Sequence, residues 1–97
     1  MVEVTMKNIE FLMNMTKEFL EGKMGVISYC LDFPYEFECR YKKMLRESRD
    51  YVEIIYDELI EKGIHVQYDE NLSDKDFRNK IRKHYKYIKE VEKEGFF

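Results

Sequence analysis

Turn-forming residues are scarce in this chain. Four glycines and one proline serve 97 residues. Strand-rich folds need more turns than that, so the shortage points to helices. Cysteine is nearly absent too. Cys30 and Cys39 stand at a spacing that fits no metal or redox motif. On a shared helix they point to opposite sides, out of disulfide reach. Unpaired thiols suit a reducing compartment, so a cytoplasmic placement is expected. No apolar stretch approaches the ~20 residues that span a bilayer, and no membrane partner is expected. The opening "MVEVTMKNIEF" carries Glu3 and no long apolar run, which argues against a signal peptide. Met6 is an alternative start.

Catalytic signatures are missing as well. There is no Gly-rich phosphate loop and no G-x-S-x-G. Neither His65 nor His84 has a partner at the spacing of H-E-x-x-H, so both are read as structural histidines. Asp57 and Glu58 are chain neighbours, not carboxylates facing each other across a cleft. The expectation is a protein with no enzymatic activity, cofactor, metal or small-molecule substrate.

What the chain has in abundance is charge, at 38% of residues, with hydrophobics at 44% and aromatics at 15%. That supports a real core rather than a disordered tail. One domain covering residues 1–97 is expected. The net charge is −3, which argues against a general nucleic-acid binder. Its distribution is uneven. From Glu47 to Asp76 there are ten acids against three bases, and from Arg78 to Lys93 seven bases against two acids. Adjacent segments therefore carry opposite fields.

Apolar periodicity predicts four helices and thus an all-α fold, a small four-helix bundle. The first runs from about Val4 to Glu21, with Ile9, Met13, Thr16 and Leu20 on one stripe and Gly22 and Gly25 ending it. The second runs from about Ile27 to Arg46, capped by Ser28, with Leu31, Phe37, Tyr41 and Leu45 as core-type residues. Pro34 lies inside it and crowds the carbonyl of Cys30, predicting a kink or two separate helices. The third runs from about Arg49 to Lys62, capped by Ser48 and stopped by Gly63. Residues 64 to 72 read as a loop, because a lone strand would have no partner. The fourth runs from about Asp74 to Glu92, capped by Ser73, with Phe77, Ile81, Tyr85, Ile88 and Val91 as its apolar stripe.

Two charged stripes carry the functional argument. Asp50, Glu53, Asp57 and Glu61 recur at steps of three and four, so a helix stacks them on one side. Like charges at that spacing repel by roughly 0.2–0.5 kcal/mol per pair. The ridge is either a solvated face, paired in part with the fourth helix, or a surface for a cationic partner. Asp69 and Glu70 extend it into the following segment. Tyr56 and Tyr68 lie beside it and read either as interface anchors or as ordinary half-buried packing. The second stripe, Arg78, Arg82, Lys86, Lys89 and Lys93, is either a phosphate grip or a solvated or internally paired face.

The order of elements carries a resemblance. "FLEGKMGVISYCLDFPYEFECRY" resembles the end of helix one, the Gly-containing turn and the aromatic-rich second helix of bacterial colicin-like and contact-dependent inhibition immunity proteins. "YVEIIYDELI" followed by "IHVQYDENLSDKDFRNKIRKHY" resembles their acidic third helix, polar loop and Ser/Asp-capped last helix. The likeness covers roughly residues 9 to 90 and is one of patterning, without a diagnostic motif. It implies a helical, non-enzymatic inhibitor that binds a cognate toxin domain, often a nuclease, whose basic cleft an acidic surface can occupy. Asp50, Glu53, Asp57, Glu58 and Glu61 supply such a surface. A phage-type acidic inhibitor of a nucleic-acid-handling host enzyme is the alternative on the same face. A nucleic-acid-binding regulator using the basic fourth helix is another.

Overall fold

The computed structural model describes residues 6–95 and contains four helices in sequence. Helix α1 spans Lys7–Leu20 and α2 spans Val26–Glu47. Helix α3 runs without interruption over residues 49–70, as an α-helical start Arg49–Ile55, a π-helical middle Tyr56–Ile64 and an α-helical end His65–Glu70. Helix α4 spans Asp74–Lys93. The all-α four-helix architecture is as the periodicity predicts. Among the described residues no helix is long and apolar enough to cross a membrane.

Helix α1 starts without a cap of its own, because Met6 offers no acceptor. Glu47, the last residue of α2, supplies one. Its carboxylate accepts from the backbone N–H of Asn8 at 3.0 Å and of Ile9 at 2.9 Å, and from the Asn8 side chain at 2.6 Å. A carboxylate at the positive end of a helix is also favoured by the helix dipole. Val4, where the first helix was expected to begin, lies outside the described residues. At the other end Gly22 takes φ +83, which closes a Schellman motif: Lys23 N–H donates to the Glu18 carbonyl and Gly22 N–H to that of Phe19. Arg78 of α4 caps the same end, donating to the carbonyls of Phe19 and, at 3.0 Å, Met24.

The core is layered around aromatic rings. Phe19 stacks on Tyr29 at 4.2 Å, Phe77 tilts against both, and Phe33 follows along α2. All four are fully buried, and each such side chain is worth about 1.5–3 kcal/mol. The Tyr29 hydroxyl shares a 2.9 Å hydrogen bond with Thr16, and burial raises its pKa well above the ordinary tyrosine value. Leu12, Met44, Ile55, Leu59, Ile64, Ile81 and Ile88 complete the interior. Tyr51 ties the start of α3 to the end of α4 by donating to Glu92 at 2.7 Å.

Four sequence expectations are corrected. Helix α2 begins after Gly25, which sits in extended backbone as its N-cap, so Ser28 lies inside the first turn and caps nothing. Of the two outcomes expected at Pro34, the separate helices do not occur: one helix runs through the proline. The missing N–H at Pro34 leaves the Cys30 carbonyl without its helical donor, and the Tyr68 hydroxyl replaces it at 2.9 Å. Leu31 and Tyr41 are exposed, because the buried face of α2 follows Val26, Tyr29, Cys30, Phe33, Phe37 and Met44.

The fourth correction concerns Gly63 and the segment after it. Gly63 is buried inside α3, and a Cβ there would stand 2.7 Å from Ile81 Cδ1. It is a glycine because α4 packs against its backbone, not because the helix stops. Residues 64–70 are helical rather than a loop, and the end comes at Asn71, whose φ of 48 is left-handed. Gln67 clamps that turn, donating to the Leu72 carbonyl at 2.9 Å and accepting from its N–H at 3.0 Å. Ser48 and Ser73 cap α3 and α4 as predicted, each accepting from the N–H three residues on.

Candidate partner-binding surface

Helix α3 carries the acids on the side opposite Val52, Ile55 and Leu59, which anchor it in the core. Asp50, Glu53, Asp57 and Glu61 are exposed, and among the described residues none of them forms an ion pair. The basic stripe of α4 does not neutralise them. Arg78 and Arg82 are occupied at the carbonyl end of α1, with Arg78 also lying over the Phe19 ring at 4.4 Å. Lys89 pairs with Glu92 on its own helix. That leaves the supposed phosphate grip without its two arginines.

Glu58 departs from the expected ridge. It is buried at 7% exposure and faces α4. Its Oε2 lies 3.1 Å from Lys62 Nζ and 3.6 Å from His84 Nδ1. The Lys62 contact is a close ion pair that falls short of a well-aligned hydrogen bond. The neighbouring carboxylate raises the Lys62 pKa. Desolvation lowers the His84 pKa, with Glu58 pulling the other way. Glu58 is thus an internal strut between α3 and α4, and a partner cannot reach it as it reaches Asp57.

Beside the ridge lies an aromatic trough between α2 and α3. Phe37 forms its floor, with Tyr41 at 5.7 Å and Tyr56 at 5.9 Å between ring centres. One lobe of about 460 Å³ is walled by Val52, Glu53 and Asp57 together with these rings. A second lobe of about 690 Å³ shares the same three aromatics and continues to Ile60, His65, Cys39, Lys42 and Lys43. Two ridge carboxylates therefore border an apolar hollow directly. Cys39 is exposed at its rim while Cys30 is buried, with its thiol pKa pushed up to about 11 by desolvation. The π-helical stretch supplies Tyr56, Asp57 and Ile60 to the lining of the trough and His65 follows it, and such wide turns recur at functional sites.

Tyr56 thus stands beside the ridge, as expected of an anchor. Tyr68 does not join it. Its hydroxyl is committed to Cys30, and its ring lies with Val26, Ile27 and Leu31 around a separate hollow of about 280 Å³. Asp69 and Glu70 are exposed on the last turn of α3, beyond the π-helical stretch. The sequence places Phe37 and Tyr41 among core-type residues and assigns Lys42 and Lys43 no role, because all four come from α2. Only the pairing of two helices brings them to the ridge. Family models, curated proteins and solved structures give no match to this chain.

Proposed function

We propose that this chain is an inhibitor of the immunity type, which neutralises a basic bacterial toxin domain, a nuclease by preference, by direct binding. One observation carries the reading: four exposed carboxylates without internal partners border an aromatic trough. Unpaired like charges on one helix face cost the fold free energy, and a cationic partner would repay it. The ridge would steer a basic domain toward the surface, and the trough would take an apolar side chain once it arrives. Filling the cleft where a nuclease holds its phosphates would block catalysis with no chemistry by the inhibitor.

The test is co-expression with the product of the adjacent gene. Wild type should rescue growth, and the Glu53→Lys, Asp57→Lys, Glu61→Lys triple variant should not, with its helical circular dichroism unchanged. Full protection by the triple variant would show that the ridge is not the site.

A further inference from the structure

The two lobes of the aromatic trough share Phe37, Tyr41 and Tyr56, and their charges set them apart. The smaller lobe has two charged residues in its wall, Glu53 and Asp57, and both are acidic. The larger lobe carries Lys42 and Lys43 against Glu38. Neither Glu53 nor Asp57 has an ion-pair partner among the described residues. The rings are unclaimed as well. Arg40 lies over Phe11 at 3.7 Å, Arg78 over Phe19 at 4.4 Å, and Lys89 approaches Tyr85 at 6.0 Å. Among the described residues no cation stands over Phe37, Tyr41 or Tyr56. Tyr41 and Tyr56 tilt against Phe37 by 49° and 42°, so the three rings wall a hollow instead of stacking shut. A ring face attracts a cation through its quadrupole and a carboxylate attracts one through its charge, and here both border the same space.

From this wall we infer that the smaller lobe is a socket for one arginine side chain of the protein partner. The socket rests on the inhibitor reading for the nature of the partner, and it names the residue that the partner inserts. A guanidinium is flat and weakly hydrated, so its face lies on an aromatic ring while its edge offers paired N–H groups to a carboxylate. The lobe supplies both surfaces: Phe37 from below, Tyr41 and Tyr56 at the sides, and Glu53 and Asp57 along the α3 rim. A lysine ammonium is compact and strongly hydrated, so it gives up more water at an aromatic wall and has no fork for two carboxylate oxygens. An apolar side chain there would strip water from both carboxylates and return nothing. Its place is the larger lobe, where Pro34 and Ile60 add apolar wall. Asp50 and Glu61 line neither lobe. They add to the field that draws a basic partner in, and the grip belongs to Glu53 and Asp57.

Heteronuclear NMR of the full chain tests the socket with no toxin present. The probes are N-acetylarginine amide, N-acetyllysine amide and the neutral isostere N-acetylcitrulline amide. The arginine probe should shift the backbone amides of Glu53, Tyr56 and Asp57 saturably, the lysine probe should bind several-fold more weakly, and the citrulline probe should leave them in place. Tyr41 and Tyr56 are both exposed, so their substitution spares the core. Tyr56→Leu and Tyr41→Leu should each weaken arginine binding by about 10-fold with helicity unchanged. The Glu53→Gln, Asp57→Asn double variant should lose it, and the Asp50→Asn, Glu61→Gln double variant, with the same change in charge, should keep it. No saturable shift with the arginine probe would overturn the socket. So would an equal response to lysine, or equal losses in the two double variants, since either marks a diffuse acidic field. Growth protection by a wild type that binds no arginine sinks the socket alone. Arginine binding by a wild type that protects nothing sinks the inhibitor reading alone.

Discussion

The acidic ridge on α3 and the apolar row of Ile27, Leu31 and Tyr35 along α2 are both exposed, and they differ in nearly every other respect. The ridge has four carboxylates with no ion-pair partner among the described residues; the row has three apolar side chains and hardly a charge near them. Neither is needed to hold the fold, since both helices already bury a separate stripe. The difference lies in the range of the forces. Attraction to the ridge acts over roughly a Debye length, ~8 Å at physiological salt, and fades as salt rises. Attraction to the row acts only on contact and is indifferent to salt or strengthened by it. One face is suited to capturing a partner from a distance, while the other acts only at close range.

The largest effect that would break this comparison belongs to the ridge. Reversing Glu53, Asp57 and Glu61 to lysine should weaken binding of a basic partner by about 100-fold or more, with folding stability changed little. Added salt should weaken wild-type binding in the same direction. Titration calorimetry of wild type and variant at two ionic strengths reads both effects. If binding ignores both the reversal and the salt, the ridge is mere solvated surface.

Next in size is Gly63→Ala. A methyl group there runs into the end of the buried Ile81 side chain, so that side chain must repack or α4 must shift against the π-helical stretch. Overpacking of this kind costs about 1–3 kcal/mol, read by urea unfolding. An alanine variant as stable as wild type would mean that Ile81 moves aside freely.

Tyr68→Phe is milder. It removes the donor to the Cys30 carbonyl and should cost about 1 kcal/mol, while the ring remains beside the row. Unchanged stability in urea unfolding would mean that water takes the place of the hydroxyl at that carbonyl.

The smallest effect is the pH dependence of the strut. Desolvation holds the His84 pKa below its usual 6.5, so the unfolded chain takes up the proton first as pH falls. The contribution is fully present above about pH 6.5 and declines below it, until the folded state also protonates. His84→Gln should flatten the stability curve across that acidic window. An identical curve in the variant would mean that the histidine does not sense folding.

Much of the fold was legible in the residues, and the reasons are local. Helices α1 and α4 each carry one apolar stripe, and Ser48 and Ser73 announce the starts of α3 and α4 with acceptors at the right spacing. The end of α3 was hidden for two reasons. Gly63 imitates a stop signal, and the π-helical turn breaks the regular period that would have carried the reading on to Glu70. Leu31 misled because α2 has apolar residues on two faces, and spacing alone does not say which face is inside. The outward ridge was legible from steps of three and four. The inward turn of Glu58, one residue after Asp57, depends on how α4 lies against α3. The trough needs Phe37 and Tyr41 to meet Tyr56 across two helices, and no local pattern encodes that meeting.

Pro34 leaves a carbonyl on α2 that only a side chain 38 residues downstream satisfies. That turns a backbone defect into a gauge of helix length. If α3 stopped where Gly63 suggests, Tyr68 would never reach Cys30 and the carbonyl would go unanswered. Misfolded forms with a shortened third helix thus carry a penalty written into the second. The proline acts as a proofreading device for its neighbour: it makes the last turns of α3, which bury nothing of their own, a condition for α2 to be whole.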